Sequence, residues 1–211
     1  MCSLIASFSK EKLLELYKLN AYRGELSYSL AAFENTATKI QLNLMMKDKG
    51  KLPEVLLTEM HHFDNAFYVA HSQAPTSDTD NIHPAVYGNC FLWHNGIIKQ
   101  KTLTPGTWDT EWILEQVTNY GWSSLSRVDG TFACIMYNDG EIFVFRNEIA
   151  PLFYDEDLNF SSTKFKDSMS LPANMVFKVN LRYNQVHPAS ILTPVAFFDT
   201  MENPYYMPEE V

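Results

Sequence analysis

The 211-residue chain has only three cysteines, Cys2, Cys90 and Cys134. An odd, sparse set cannot pair fully within one chain and suits a reducing compartment rather than a disulfide framework. Blocks of one charge sign are missing too. The densest basic patch, Lys47 to Lys51, has Asp48 inside it, and the net charge is -9 from 16 basic and 25 acidic residues. Phosphate-backbone binding needs clustered Lys and Arg, so nucleic acid is excluded as the main partner. The longest uninterrupted apolar run, Phe132 to Tyr137, is far short of a membrane span. No basic stretch followed by an apolar one opens the sequence, so no secretory signal is expected, and a cytoplasmic location is. Gly-rich phosphate loops, internal repeats, low-complexity tracts and linkers are lacking as well.

What is present is globular: 46% hydrophobic, 19% charged and 14% aromatic residues. A single domain over 1–211 is expected, with an irregular tail from about residue 194. Residues 3–8 predict a strand almost at the terminus. A helix follows from an N-cap at Ser9, with Leu13, Leu14, Leu16, Tyr17 and Leu19 at helical spacing, and Arg23-Gly24 as its stop. Strands are predicted at Tyr28 to Phe33 and Thr38 to Met45, then a helix from Leu52 to His62 with Pro53 in its first turn.

From Ala66 onward strand patterns dominate: Ala66 to Ser72, Asn89 to His94, Ile97 to Lys101, Thr131 to Asn138 and Glu141 to Arg146. Asp139-Gly140 and Asn95-Gly96 both read as two-residue hairpin turns. One helix interrupts, from about Asp109 to Tyr120, and strands return near Leu152, Asn159 and Asn174. Early and mid-sequence helices around an antiparallel meander describe an α+β fold with helices covering a sheet sandwich.

Cys2 is the residue with the most chemistry to offer. Excision of Met1 favours a small second residue, and it would leave a thiol and a free α-amine on one residue. An α-amine titrates at about 7.7–8.0, so it can act as base toward its own thiol and later return the proton to a leaving amine. Such a nucleophile needs an oxyanion hole, and the Asn95 side chain with a backbone N–H at Gly96 could supply one. Read alone, Asn95-Gly96 is a hairpin turn.

Eight segments in order carry a resemblance. They are Met1-Cys2-Ser3, Arg23-Gly24, Ala70-His71-Ser72-Gln73-Ala74-Pro75-Thr76, Asn81-Ile82-His83-Pro84, Trp93-His94-Asn95-Gly96-Ile97, Asp109-Thr110-Glu111, Asp129-Gly130-Thr131-Phe132-Ala133, and Arg146 through Pro151-Leu152-Phe153-Tyr154. Together they resemble the class II (N-terminal nucleophile) glutamine amidotransferase domain from Cys2 to about Val179. That resemblance implies a four-layer α-β-β-α sandwich. It implies Cys2 as nucleophile with its own amine as base, and Asn95 with the Gly96 N–H as oxyanion hole. Asp109 would hold a substrate α-ammonium, Arg23 would position the N-terminal segment, and Gln73 and Thr76 would lie on the substrate. No cofactor is implied. The substrate would be glutamine or a γ-glutamyl amide, and the ammonia would pass to a separate synthetase or transferase.

Three departures qualify this. The family's carboxylate-clamping arginine falls on Gln73, which cannot form a bidentate ion pair. The family's Arg-Gly-x-Asp-x-x-Gly becomes Arg23-Gly24-Glu25-Leu26-Ser27-Tyr28-Ser29. Only about thirty residues follow Val179, too few for an acceptor domain. Two alternatives therefore stand beside glutamine hydrolysis: a hydrolase of another γ-glutamyl or simple amide, and a degenerate binding or regulatory domain. Metal binding at His61-His62 with Asp64 is disfavoured, because adjacent helical histidines diverge. His71, His83 and His94 are expected to organise backbone hydrogen bonds, and Cys90 and Cys134 to be core.

Overall fold

The computed structural model describes residues 2–36, 39–59, 63, 66–74, 80–99, 102–180 and 191–200. Strand β1 (Ser3–Ser7) leads into helix α1 (Lys10–Asn20), β2 (Ser27–Asn35), β3 (Ile40–Lys49), α2 (Glu54–Glu59), β4 (Ala66–Gln73), β5 (Ala85–Tyr87) and β6 (Cys90–Ile98). Then come α3 (Asp109–Tyr120), a 3₁₀ turn (Trp122–Arg127), β7 (Gly130–Asn138), β8 (Glu141–Arg146), β9 (Phe153–Tyr154), β10 (Phe160–Ser161), β11 (Met169–Ser170), β12 (Met175–Asn180) and β13 (Ile191–Phe197).

Two antiparallel sheets result, in the orders β11-β9-β10-β1-β4-β2-β3 and β13-β12-β8-β7-β6-β5. Side-chain alternation sorts each strand between two cores. Leu4 and Ala6 of β1, Val69 of β4, Trp93 of β6 and Ile135 of β7 meet between the sheets. Ile5, Leu30 and Tyr68 face outward under Leu13, Leu16 and Leu57 of α1 and α2. Leu92, Phe132 and Cys134 face outward under Ile113, Leu114 and Val117 of α3. The order of layers is α-β-β-α. Strands covered on both faces need apolar residues at every position, which is why Phe132 to Tyr137 is unbroken.

Local signals set several boundaries. The Ser9 hydroxyl accepts from the Lys12 N–H at 3.1 Å and caps α1. Asp139-Gly140 closes the β7–β8 hairpin, with Asn138 opposite Glu141. Helix α1 stops at Asn20, short of Arg23-Gly24, because the Asn20 side chain bonds the Leu16 carbonyl at 2.8 Å and the Ser161 hydroxyl at 2.9 Å.

Other expectations fail. Asn95-Gly96 is no hairpin turn: β6 is one strand, paired with β7 from Cys90–Asn138 to Ile98–Gly130. The long-range ladder outweighs the local turn preference. Helix α2 is described only as Glu54–Glu59, and the rest of its expected span, with the His61-His62-Asp64 group, lies outside the described residues. Residues 194–197 are not irregular either, since β13 runs through Pro194 to Phe197, and residues 201–211 lie outside the described residues. Phe177 pairs with Pro194 and Val176 with Ala196, so Val195 is the extra residue of a bulge on an edge strand, where proline is tolerated.

Buried hydrogen bonds tie the sheets together: Trp93 Nε1 donates to Ser29 Oγ at 3.0 Å, the Tyr137 hydroxyl donates to the Ile40 carbonyl at 3.1 Å, and His71 Nε2 lies 3.1 Å from the His94 carbonyl. Ser29→Ala would strand a fully buried indole N–H, a loss of about 1–3 kcal/mol. The expected result is a lower urea midpoint at unchanged slope. A loss below about 0.5 kcal/mol would mean that the indole finds another acceptor.

Candidate active site

The site is built at the end of the sandwich where β1 begins. By alternation Cys2 shares the inter-sheet face of β1 with Leu4, and it is buried, with 6% of its surface exposed. Burial pushes its thiol up from the ordinary cysteine value, and the charge of Asp109 adds to the rise. A hydrogen bond from the Ala74 backbone and the charge of Arg23 pull it down. The thiol is therefore not a standing thiolate.

Arg23 Nε donates to the Cys2 carbonyl at 2.9 Å. Its Nη1 reaches Thr163 Oγ1 at 3.4 Å, and Thr163 in turn donates to Asn20 Oδ1 at 2.8 Å. The end of α1 thus fixes the backbone that carries the cysteine. Gly24 is needed beside it, since a Cβ there would lie 2.5 Å from the Gln73 carbonyl carbon. Gln73 closes β4, opposite Ser27, and its Oε1 accepts from the Ser27 hydroxyl at 2.7 Å. Thr76 lies outside the described residues.

Asn95 comes from the facing sheet. Going down β2, Phe33 stacks on Tyr137 at 4.9 Å, which touches Phe91 at 5.7 Å; further along, Ser29 receives the Trp93 indole. Phe91, Trp93 and Asn95 lie on one face of β6, so Asn95 falls two residues beyond Trp93, toward Ser27, Gln73 and Cys2. It is 3% exposed. Gly96 follows at φ +159°, and a Cβ there would sit 1.9 Å from the Thr131 carbonyl oxygen.

Asp109 arrives on the first turn of α3. Its Oδ1 accepts from the Thr110 N–H at 2.8 Å and its Oδ2 from the Ile98 N–H at 3.4 Å, and its side chain is 21% exposed. Cys2, Asn95, Gly96, Asp109, Arg23 and Gln73 therefore converge on one end of the sandwich.

Behind them is a buried histidine cluster. The rings of His71 and His83 lie 3.9 Å apart, and His83 packs edge-on against Trp108. His83 Nε2 and His94 Nδ1 lie 3.1 and 3.3 Å from Thr110 Oγ1, and His94 Nε2 is 3.2 Å from the Thr131 carbonyl. His83 Nδ1 is buried without a hydrogen-bond partner among the described residues. Burial drives His71 down to about 3 and His83 well below the usual histidine value, so both are neutral in the fold. The unfolded protein binds protons on these residues below about pH 6.5 while the folded protein does not. Stability is thus complete above about pH 6.5 and is lost as pH falls from there toward about 3, by up to about 1.4 kcal/mol per pH unit for each histidine. Urea midpoints at pH 7.5 and pH 5 should differ in that sense; equal midpoints would contradict it.

Ser27, Thr110 and Thr131 were not legible as site residues. Thr131 Oγ1 accepts from the Ile97 N–H at 3.1 Å, and Thr110 joins two histidines to Asp109, but single hydroxyl residues carry no spacing signal. Among the described residues no group of three or more His, Cys, Asp or Glu side chains could hold a metal, and no helix is long and apolar enough to cross a membrane.

No protein-family model matches the chain, and no curated protein does. Solved structures do. One is the glutamine phosphoribosylpyrophosphate amidotransferase of B. subtilis complexed with ADP and GMP, at 17% identity and TM-score 0.56. Another is the allosteric regulatory enzyme of purine biosynthesis, at 16% identity and TM-score 0.57. Each alignment covers 85% of this chain and 47% of the other, so the chain spans about half the length of these proteins. At such identities what is shared is the fold: this protein is an α+β four-layer sandwich of the N-terminal nucleophile hydrolase type.

Proposed function

We propose that the protein is a cysteine amidohydrolase of the glutamine amidotransferase kind, active once Met1 is removed. The observation that carries this reading is the convergence of a buried cysteine at position 2, an amide on the facing sheet and a half-buried carboxylate at one end of the sandwich.

With Met1 in place the nitrogen of Cys2 is an amide and no base. Its removal frees an amine that takes the thiol proton, directly or through a water. Sulfur attacks the carbonyl carbon of a primary carboxamide, and the carbonyl oxygen becomes an oxyanion held by the Asn95 amide and the Gly96 N–H. Collapse breaks the C–N bond. The ammonium proton returns to the leaving nitrogen, ammonia departs, and a thioester remains. Water, deprotonated by the same amine, then cleaves the thioester to a carboxylic acid and restores the thiol. Asp109 holds the α-ammonium of the substrate, and Arg23 fixes the Cys2 backbone by its 2.9 Å bond. The ammonia passes to a separate acceptor protein or to solvent. Three free thiols fit a cytoplasmic setting.

Asn95→Ala is the test of the oxyanion assignment. Loss of one such donor lowers kcat by about 10²–10³-fold. Alkylation of Cys2 should persist in the variant, since the nucleophile is untouched. A kcat within a few-fold of the parent would remove Asn95 from the reacting centre and favour the reading of a degenerate binding domain.

A further inference from the structure

The site holds a carboxylate for an ammonium group, yet the cations beside it are occupied. Arg23 is bonded to the Cys2 carbonyl, Lys49 to Asp80 at 2.6 Å, Lys51 to Glu25 at 3.4 Å and Lys99 to Asp129 at 2.8 Å. The position nearest Cys2 on β4 is the neutral Gln73, its carbonyl already engaged by Ser27. Residues 75–79, Pro-Thr-Ser-Asp-Thr, contain no base either.

Lys47 is different. It is exposed, has no acidic partner among the described residues, and pairs with Ser29 in the row Leu4, His71, Ser29, Lys47 across the sheet. Alternation therefore puts it on the same face as His71, and its charge is felt at His83. It lines a cavity of about 340 Å³ whose wall includes Asn81, Ile82, Trp108 and the carboxylates of Glu111 and Asp80, the latter bonded to Lys49. A smaller space of about 60 Å³, lined by Ser27, Asn81 and Ile82, adjoins it. Ser27, which lies opposite Gln73, lines the smaller space, and Asn81 and Ile82 line both.

Distance decides what these spaces can hold. The row meets β1 at Leu4, two residues from Cys2, so three strand spacings of about 4.8 Å across and about 6.6 Å along put the Lys47 backbone about 16 Å from that of Cys2. Its side chain reaches about 6 Å, so the ammonium comes no nearer than about 10 Å, and a carboxylate must extend most of that way to bond it. The carboxylate of free glutamine lies only about 5 Å from the attacked carbon, out of reach. One further residue adds about 3.5 Å and brings a carboxylate to Lys47.

We propose that the cavity is a second subsite and that the substrate is a glutaminyl peptide with a free amino terminus. This rests on the reading that Cys2 is the nucleophile. Asp109 takes the α-ammonium, the Gln73 amide donates to the peptide carbonyl that replaces the glutamine carboxylate, and Lys47 takes the carboxylate of the following residue. The net reaction is glutaminyl peptide plus water to glutamyl peptide plus ammonia, with the C–N bond of the carboxamide broken and no redox change.

The test compares ammonia release from L-glutamine, Gln-Ala and Gln-Ala-amide by the Met1-free protein, its Cys2→Ala variant and its Lys47→Gln variant. The expected result is that Gln-Ala exceeds glutamine by at least about tenfold in kcat/KM, the scale of one charge-assisted bond. Lys47→Gln should raise KM for Gln-Ala to that of Gln-Ala-amide at little change in kcat. Cys2-dependent turnover that favours glutamine, or treats it equally, overturns this inference and leaves the proposed function standing. A Gln-Ala preference unaffected by Lys47→Gln overturns the second subsite. Absence of Cys2-dependent turnover with all three amides overturns the inference together with the function it rests on.

Discussion

Cys2→Ala is expected to abolish ammonia release, by at least about 10³-fold in kcat, while leaving the urea midpoint within about 1 kcal/mol of the parent. The first expectation follows from covalent catalysis: without the thiol no thioester forms, and the remaining donors orient water poorly. The second follows from position. Cys2 precedes β1, and its backbone anchors, the Arg23 bond to its carbonyl and the ladder from Ser3 to Ser7, do not involve sulfur. Steady-state ammonia assay and denaturant titration of the same preparation check both halves. Residual activity within tenfold of the parent would place the nucleophile elsewhere, and Cys90 and Cys134 are poor candidates. Both are pushed up by burial, and Cys134 is fully enclosed beneath α3.

Gly96→Ala is expected to be the most disruptive single-methyl change in the site. The new Cβ would stand 1.9 Å from the Thr131 carbonyl oxygen and 2.6 Å from His94 Nε2. The first neighbour is backbone of the paired strand and cannot rotate away. Either β6 separates from β7 or the strand shifts, and both break the ladder that holds Asn95 and the His94–Thr131 contact. Overpacking of this kind costs about 3 kcal/mol. Turnover should fall with it even where the variant folds, because the Gly96 N–H and the Asn95 amide move together. A variant of parental stability and rate would show that β6 and β7 are less closely apposed than 1.9 Å implies.

Much of the fold was legible because its local and long-range signals agree. Helix α3 runs from Asp109 to Tyr120, the span expected of it, and Asp139-Gly140 makes the turn its residues prescribe. The failures fall where tertiary pairing overrides a local preference. Asn95-Gly96 has the composition of a hairpin turn, yet nine residues of ladder with β7 hold it straight. Its glycine is required by the nearness of Thr131 and not by a turn. Pro194 looked like the end of order and instead sits at a bulge in an edge strand.

The candidate site was legible through the order of its motifs more than through any one residue. Those motifs single out Cys2, Arg23, Gln73, Thr76, Asn95, Gly96 and Asp109; Thr76 lies outside the described residues, and the fold places the others toward one end of the sandwich. Spacing could not show that Ser27 engages Gln73, or that Thr110 bridges His83, His94 and Asp109, since those contacts join distant strands and helices. Nor could it show Lys47 facing the cavity, because a lysine on a β3 edge reads as solvated surface until its row across the sheet is known.

The central claim, a live nucleophile at a processed N-terminus, is tested most directly by intact mass of the purified protein before and after exposure to 6-diazo-5-oxo-norleucine, with Cys2→Ala alongside. Loss of Met1 and one adduct per molecule, absent in the variant, is the expected result. A protein that keeps Met1, or a processed one whose labelling is nil or unchanged by Cys2→Ala, would contradict it.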